Sequence, residues 1–188
     1  MSVVMQPAVL AARWESRVEL RDQSDVLDSG QLATPIPMAV QSNLQHAVRD
    51  WHFQPAIHAL AEPAPVLLIQ LQRYRVVDGV IVKNSNPVQL QVGTTLQMPI
   101  FTDSAGLAVR WQRYEVIFAV LHAGATPQTG HYQSMLMLGS EGQMHLTNDA
   151  TAPAMSQNSV RLQTECYVIG LANCSCGAVQ PPAEMAGM

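Results

Sequence analysis

Residues 114–149 read YEVIFAVLHAGATPQTGHYQSMLMLGSEGQMHLTND, and this stretch decides the fold. It begins with an apolar run, Val116 to Leu121, too short to cross a membrane and rich enough in β-branched and aromatic residues to form a buried strand. Gly124, Thr126, Pro127, Thr129 and Gly130 then mark a loop, and His131 opens a second strand, Tyr132 to Leu138, ended by Gly139-Ser140-Glu141-Gly142. A third short strand leads to Asn148-Asp149. Antiparallel hairpin strands place His131 at one end and return Asn148, 17 residues later, to the same edge. An imidazole beside a side-chain amide or carboxylate suits nucleophilic catalysis, in which a histidine base needs a third group to accept its Nδ1 proton and so hold tautomer and ring orientation. A strand-edge histidine standing alone is more often structural than catalytic.

Outward from this stretch, the composition describes one domain. The chain has 188 residues, 48% hydrophobic and 13% charged, with a net charge of −4, so it can bury a core and has no electrostatic reason to bind nucleic acid. No run reaches the 18 or so apolar residues of a membrane helix, and Met1 to Leu10 lacks a basic n-region, so neither a membrane span nor a signal peptide is expected. Three cysteines, Cys166, Cys174 and Cys176, crowd the last fifth of the chain; they argue against a disulfide framework and fit a reducing, intracellular setting, cytoplasmic or nuclear. His46, His52 and His58 recur every six residues, which does not place them on one helical face, so no metal site is expected, and no cofactor.

The remaining segments read as strands around one helix. Val18 and Leu20 alternate with Arg17, Glu19 and Arg21 as in a half-exposed strand, and Asp25 to Pro37 reads as a loop. Ser42 is a good N-cap for a helix from Asn43 to Phe53, with Leu44, Val48 and Trp51 on one face and Pro55 as terminator. Val66 to Ile69 is a continuous apolar run of core-strand type, after which Leu71 and Tyr74 face inward while Gln70, Gln72 and Arg73 stay polar. Asp78-Gly79 signals a hairpin. Val88, Leu90 and Val92, then Leu96, Met98 and Ile100, alternate with polar residues or Pro99 as two half-buried strands. Thr151 to Ser159 reads as a loop, Cys166 to Leu171 as a last strand, and the tail from Ala178 as disordered.

The order apolar strand, His-x-Gly, Gly-rich loop, Gly-His-Tyr, strand, Asn-Asp resembles the His box of the ubiquitin-specific proteases, papain-like cysteine peptidases that remove ubiquitin. Pro65 followed by aliphatic residues and closed by Arg73-Tyr74 is similar to that family's central strand, and Lys83 stands where the family often places a lysine. The resemblance covers roughly residues 40 to 172 and is to the C-terminal half of the family domain. It implies an α+β, mainly antiparallel fold, the palm half of the protease domain, spanning 42–172 between an N-terminal strand and loop segment at 1–41 and a tail at 173–188. It further implies His131 as the catalytic histidine, Asn148 as its orienting partner, Asp149 as the acidic neighbour, and ubiquitin or a ubiquitinated protein as partner.

The sequence departs from that pattern in what it lacks. The family's nucleophilic cysteine lies near the start of its domain, and no cysteine precedes Cys166 here. The paired Cys-x-x-Cys zinc site of many members has no counterpart either. Cys166 begins a core strand, where a buried thiol is inert, and the exposed Cys174-Ser175-Cys176 has no second ligand pair, so neither is assigned a role. Three readings follow: the C-terminal half of an active deubiquitinase whose N-terminal half supplies the cysteine, a pseudoenzyme that binds ubiquitin, or a β-rich interaction domain. On the first, an uncovered apolar face is expected on the helix 43–53 or on the strand 114–121.

Overall fold

A computed structural model describes residues 16–22, 25–33, 35–104, 106–138, 143–149, 151–155 and 159–174. The spine is β9, Val109–Thr126, an 18-residue strand that buries Tyr114 and Val116 and, beyond a shift in register against its neighbour, Ala119 and Leu121. One edge of β9 pairs first with β8 (Thr95–Phe101) and then with β10 (Thr129–Leu138), both antiparallel. Its other edge carries β13, Cys166–Asn173, which also pairs with β5, Val66–Leu71.

Around this spine the sheet extends to 11 strands among the described residues. β11 (Gln143–Asn148) and β12 (Thr151–Met155) continue beyond β10. β4 (Ile57–Leu60), β1 (Ser16–Asp22) and β2 (Asp25–Ala33) follow β8, and β3 (Ile36–Met38) lies parallel to β5. A separate two-stranded hairpin, β6 (Tyr74–Val77) and β7 (Val80–Lys83), stands off the main sheet. The expected α+β, mainly antiparallel architecture is found.

Helix α1, Leu44–His52, packs Leu44, Ala47, Val48 and Trp51 against β3, β4 and β8 at the i, i+3, i+4, i+7 spacing of one face. Its cap is Asn43 rather than the expected Ser42. The Asn43 backbone is extended (φ −102°, ψ 121°) and its Oδ1 accepts the Gln45 N–H at 2.8 Å. Gln45 in turn reaches the edge of β8, donating to the Gln97 carbonyl at 3.0 Å and accepting the Gln97 N–H at 2.8 Å.

Three further readings are corrected. Asp25 to Pro37 is not a loop: β2 and β3 lie there, joined to the sheet by backbone ladders that need no apolar alternation. Thr151 to Ser159 contains β12, and a second helix, α2 (Ser159–Glu165), follows it. Val88 and Leu90 are buried, but their segment is no strand; the Val88 N–H donates to the Gln163 carbonyl of α2 at 3.1 Å and the Gln89 N–H to Ser42 at 2.7 Å. On the two elements expected to show a partly uncovered apolar face, Leu44, Ala47, Val48 and Trp51 of α1 and Tyr114, Val116, Ala119 and Leu121 of β9 are buried, whereas Ile117, Phe118 and Val120 are half-buried and Phe53 is exposed. The exposed large apolar residues concentrate on the β6–β7 hairpin, where Val76 is 70% and Val80 63% exposed. Its turn has positive φ at Asp78 (51°) and Gly79 (78°), the type I′ geometry that Asp-Gly favours. The tail from residue 175 lies outside the described residues.

One buried group makes stability depend on pH. His52 is buried and its Nδ1–H donates to the His58 carbonyl at 2.6 Å. Burial lowers its pKa below the ordinary 6.5, against the His58 carbonyl bond, which raises it. Because the folded pKa lies below the unfolded one, the unfolded chain binds more protons just below pH 6.5, and stability falls as pH falls through that window. The slope is at most about 1.4 kcal/mol per pH unit for one histidine. Urea midpoints measured between pH 7.5 and 5.5 should fall for the wild type and fall less for His52→Gln, which keeps a donor without titrating; equal slopes would refute the assignment.

Candidate functional site

His131, Asn148 and Asp149 meet at the open ends of β10, β11 and β12. The β10–β11 register, Ser134 opposite Thr147, sets Asn148 diagonally from His131 on the same face of the sheet. The His131 Nε2 is hydrogen-bonded to the Asn148 Oδ1. Asp149 Oδ2 lies 3.7 Å from the same nitrogen. The backbone explains the difference between the two partners. Asn148 ends β11 and pairs with Thr151, whereas Asp149 occupies the turn between them with φ 44° and a side chain 76% exposed. Asn148 is therefore the inward partner and Asp149 the solvated one.

The nitrogen that Asn148 holds is Nε2 and not the expected Nδ1. An amide oxygen accepts, so Nε2 carries the proton in the neutral ring and Nδ1 is left with its lone pair for a reacting group. The expected loop before His131 is also shorter. β9 runs to Thr126 and β10 starts at Thr129, so Pro127 and Gln128 alone make the turn, closed by a 2.7 Å hydrogen bond between the Thr126 and Thr129 hydroxyls.

Beneath that turn lies a cluster that sequence reasoning passed over. His122, 1% exposed, faces Tyr132 across the ladder, and their rings stack with centroids 4.2 Å apart. Tyr74 and Tyr167 complete the group, and the Tyr74 Oη lies 2.5 Å from His122 Nδ1 and 3.0 Å from the Gly124 carbonyl. The Lys83 ammonium donates to the His122 carbonyl at 2.6 Å. Desolvation, helped by Lys83, lowers the His122 pKa, so its ring is neutral at physiological pH. The signal was present in the His-x-Gly of residues 122–124.

Arg73, read as a polar strand residue, is 1% exposed. Its guanidinium donates to the carbonyls of Cys166 (2.5 Å), Gln163 (2.7 Å), Asn84 (2.9 Å) and Asn86 (3.0 Å), and so ties the end of β7 to the junction of α2 and β13. Cys166 beside it is fully buried, and burial pushes its thiol up to about 12 despite Arg73, which excludes it as a thiolate at neutral pH. Cys174 is half-buried at the end of the described chain. With no cysteine before Cys166, the sequence does not supply the paired Cys-x-x-Cys ligands of the zinc site, and among the described residues no three His, Cys, Asp or Glu side chains gather as a metal site.

The fold agrees with the comparisons. Among solved structures, that of the yeast SAGA DUBm with a mutant Sgf73 superposes with a TM-score of 0.65 at 21% identity, over 86% of this chain and 38% of that one. The SAGA Ubp8/Sgf11/Sus1/Sgf73 DUB module bound to ubiquitin aldehyde superposes at 0.64 and 19% identity, over 86% of this chain and 41% of that one. The chain thus spans about two fifths of the length of the solved structures it matches. No curated protein matches. The family model for ubiquitin carboxyl-terminal hydrolase matches residues 9–169, and the chain accordingly belongs to the ubiquitin carboxyl-terminal hydrolase family.

Proposed function

We propose that this chain is the palm half of a deubiquitinating cysteine peptidase, with His131 as general base and acid and Asn148 as the residue that orients it. The reading is carried by the hydrogen bond from His131 Nε2–H to Asn148 Oδ1 at the open strand ends. A cysteine supplied by the N-terminal half of the family domain loses its proton to His131 Nδ1, and the thiolate attacks the carbonyl carbon of ubiquitin's C-terminal glycine. The resulting imidazolium protonates the departing amine as the C–N bond breaks, leaving a thioester. Water, deprotonated by His131, then attacks the thioester carbonyl, and the thiol is regenerated. Asn148 keeps the ring from turning through this cycle, and Asp149 stabilises the neighbouring turn. The thiols of this chain suit a reducing compartment, cytoplasmic or nuclear.

A second reading is a ubiquitin-binding module without turnover, and the burial of Cys166 together with the lack of any earlier cysteine favours it for the chain by itself. One experiment separates them. The chain alone should not hydrolyse a ubiquitin C-terminal fluorogenic amide. Co-expressed with a cysteine-bearing N-terminal half of the family domain, it should, and His131→Ala should lower that rate by about 10²–10⁴-fold. Ubiquitin binding without turnover in the combined sample would select the second reading; turnover indifferent to His131→Ala would sink the first.

A further inference from the structure

His131 is preceded by Gly130 and followed by Tyr132, and both neighbours rest on the same buried ring. Tyr132 stacks on His122, and a Cβ placed on Gly130 would lie 2.7 Å from His122 Nε2. A Cβ on Gly124, at the other side of the turn, would lie 2.9 Å from His122 Cε1. The edge of the imidazole therefore fills the space that two missing side chains leave under the β9–β10 turn. On its opposite edge the ring is held by polar contacts. Tyr74 has one hydroxyl proton and the Gly124 carbonyl takes it at 3.0 Å, so His122 Nδ1–H donates to the Tyr74 oxygen, and Nε2 is a buried lone pair with no partner among the described residues. Strand alternation sends the His131 side chain to the face opposite Tyr132 and His122. His131 is thus anchored by its backbone, while its own ring is about half exposed.

We propose that His122, held by Tyr74 and Lys83, is a positioning residue for His131: it sets the height of the Gly130–Tyr132 backbone and so aims the His131 ring at Asn148. The proposal rests on the reading of His131 and Asn148 as a working pair. The polar contacts distinguish it from simple packing, because a ring of the same size without nitrogen would lose its own hydrogen bond to the Tyr74 oxygen and with it the tie to the hydroxyl that holds the Gly124 carbonyl. An acid–base role for His122 itself has no route, since the ring is sealed by Tyr132, the glycine pair and the Tyr74 hydroxyl.

The test is side-chain NMR on the whole chain. Three-bond couplings should show His131 in one χ1 rotamer, with nuclear Overhauser contacts from its ring to the Asn148 side-chain amide. Tyr74→Phe removes one hydroxyl from a half-buried ring and leaves the core intact; His122→Phe removes both nitrogens. In each, His131 should spread over the three staggered wells, its main rotamer falling to about one half or less and the Asn148 contact weakening at least about twofold, while amide shifts of β5, β8 and β13 stay in place. Unchanged His131 rotamer and contact in Tyr74→Phe would overturn the proposal and leave the pair standing. Absence of the contact in the wild type would overturn the pair itself, and the proposal with it. Should His122→Phe fail to fold, Tyr74→Phe decides alone.

Discussion

Replacing Arg73 by alanine lowers the unfolding free energy by about 3–5 kcal/mol, among the largest losses expected of a single change. Four carbonyls lose a charged donor at once, and a hydrogen bond to a charged group contributes about 1.5–3 kcal/mol. The sum is trimmed because the buried guanidinium costs desolvation, which also pushes its pKa below the ordinary value, and because water reaches the carbonyls near exposed Asn86. Arg73→Lys should recover less than half the loss, since one ammonium cannot span the fork that reaches residues 84, 86, 163 and 166. Urea unfolding of the three proteins measures this. If Arg73→Met, which fills the space without polar groups, proved as stable as the wild type, the four bonds would carry no net weight.

The second large effect falls on the turn. Gly124→Ala would set its Cβ 2.0 Å from the Thr129 carbonyl oxygen and 2.9 Å from the Gly130 Cα, both backbone atoms of the facing strand. Backbone cannot step aside as a side chain can, so the β9–β10 ladder must open, at about 3 kcal/mol, the upper end of ordinary overpacking costs. Because His131 lies one residue beyond Gly130, the reconstituted hydrolysis should fall with it. Gly170→Ala makes a useful contrast. The three atoms nearest its Cβ would all belong to the Phe118 ring, the first at 2.1 Å, and a ring at the end of a side chain can swing, so the cost should be about 1 kcal/mol. Equal stabilities of the two variants would show that the turn is softer than its geometry implies.

How much of this could be read beforehand follows from what each feature depends on. The apolar runs Val66–Ile69, Val116–Leu121 and Cys166–Leu171 lie in β5, β9 and β13, and α1 carries a clear 3.6 period, so these were visible, although β9 extends well beyond its run at both ends. β2, β12 and α2 were not. Asp25–Ala33 and Thr151–Met155 are edge strands held by backbone pairing, which leaves no mark on side-chain pattern, and α2 has seven residues, less than two full turns of signal. His131, Asn148 and Asp149 lie together as expected, because a hairpin brings close neighbours in sequence together. The burial of Arg73 and the partner of Tyr74 were missed because Cys166, Gln163 and His122 lie 48 to 93 residues away, a distance no local period spans. The ring nitrogen was misassigned for a similar reason: which edge faces Asn148 depends on the side-chain rotamer.

The place of β13 has a consequence for how the protein is made. This strand, encoded by residues 166–173, lies between β5 at 66–71 and β9 at 109–126, and hydrogen-bonds to both. Until it emerges from the ribosome, β5 and β9 each present an edge of unpaired backbone N–H and C=O groups, flanked by apolar side chains, to any neighbouring chain. Synthesis up to residue 165 therefore leaves two half-sheets with nothing between them, and chaperone occupancy on translating ribosomes should persist until β13 has cleared the exit tunnel.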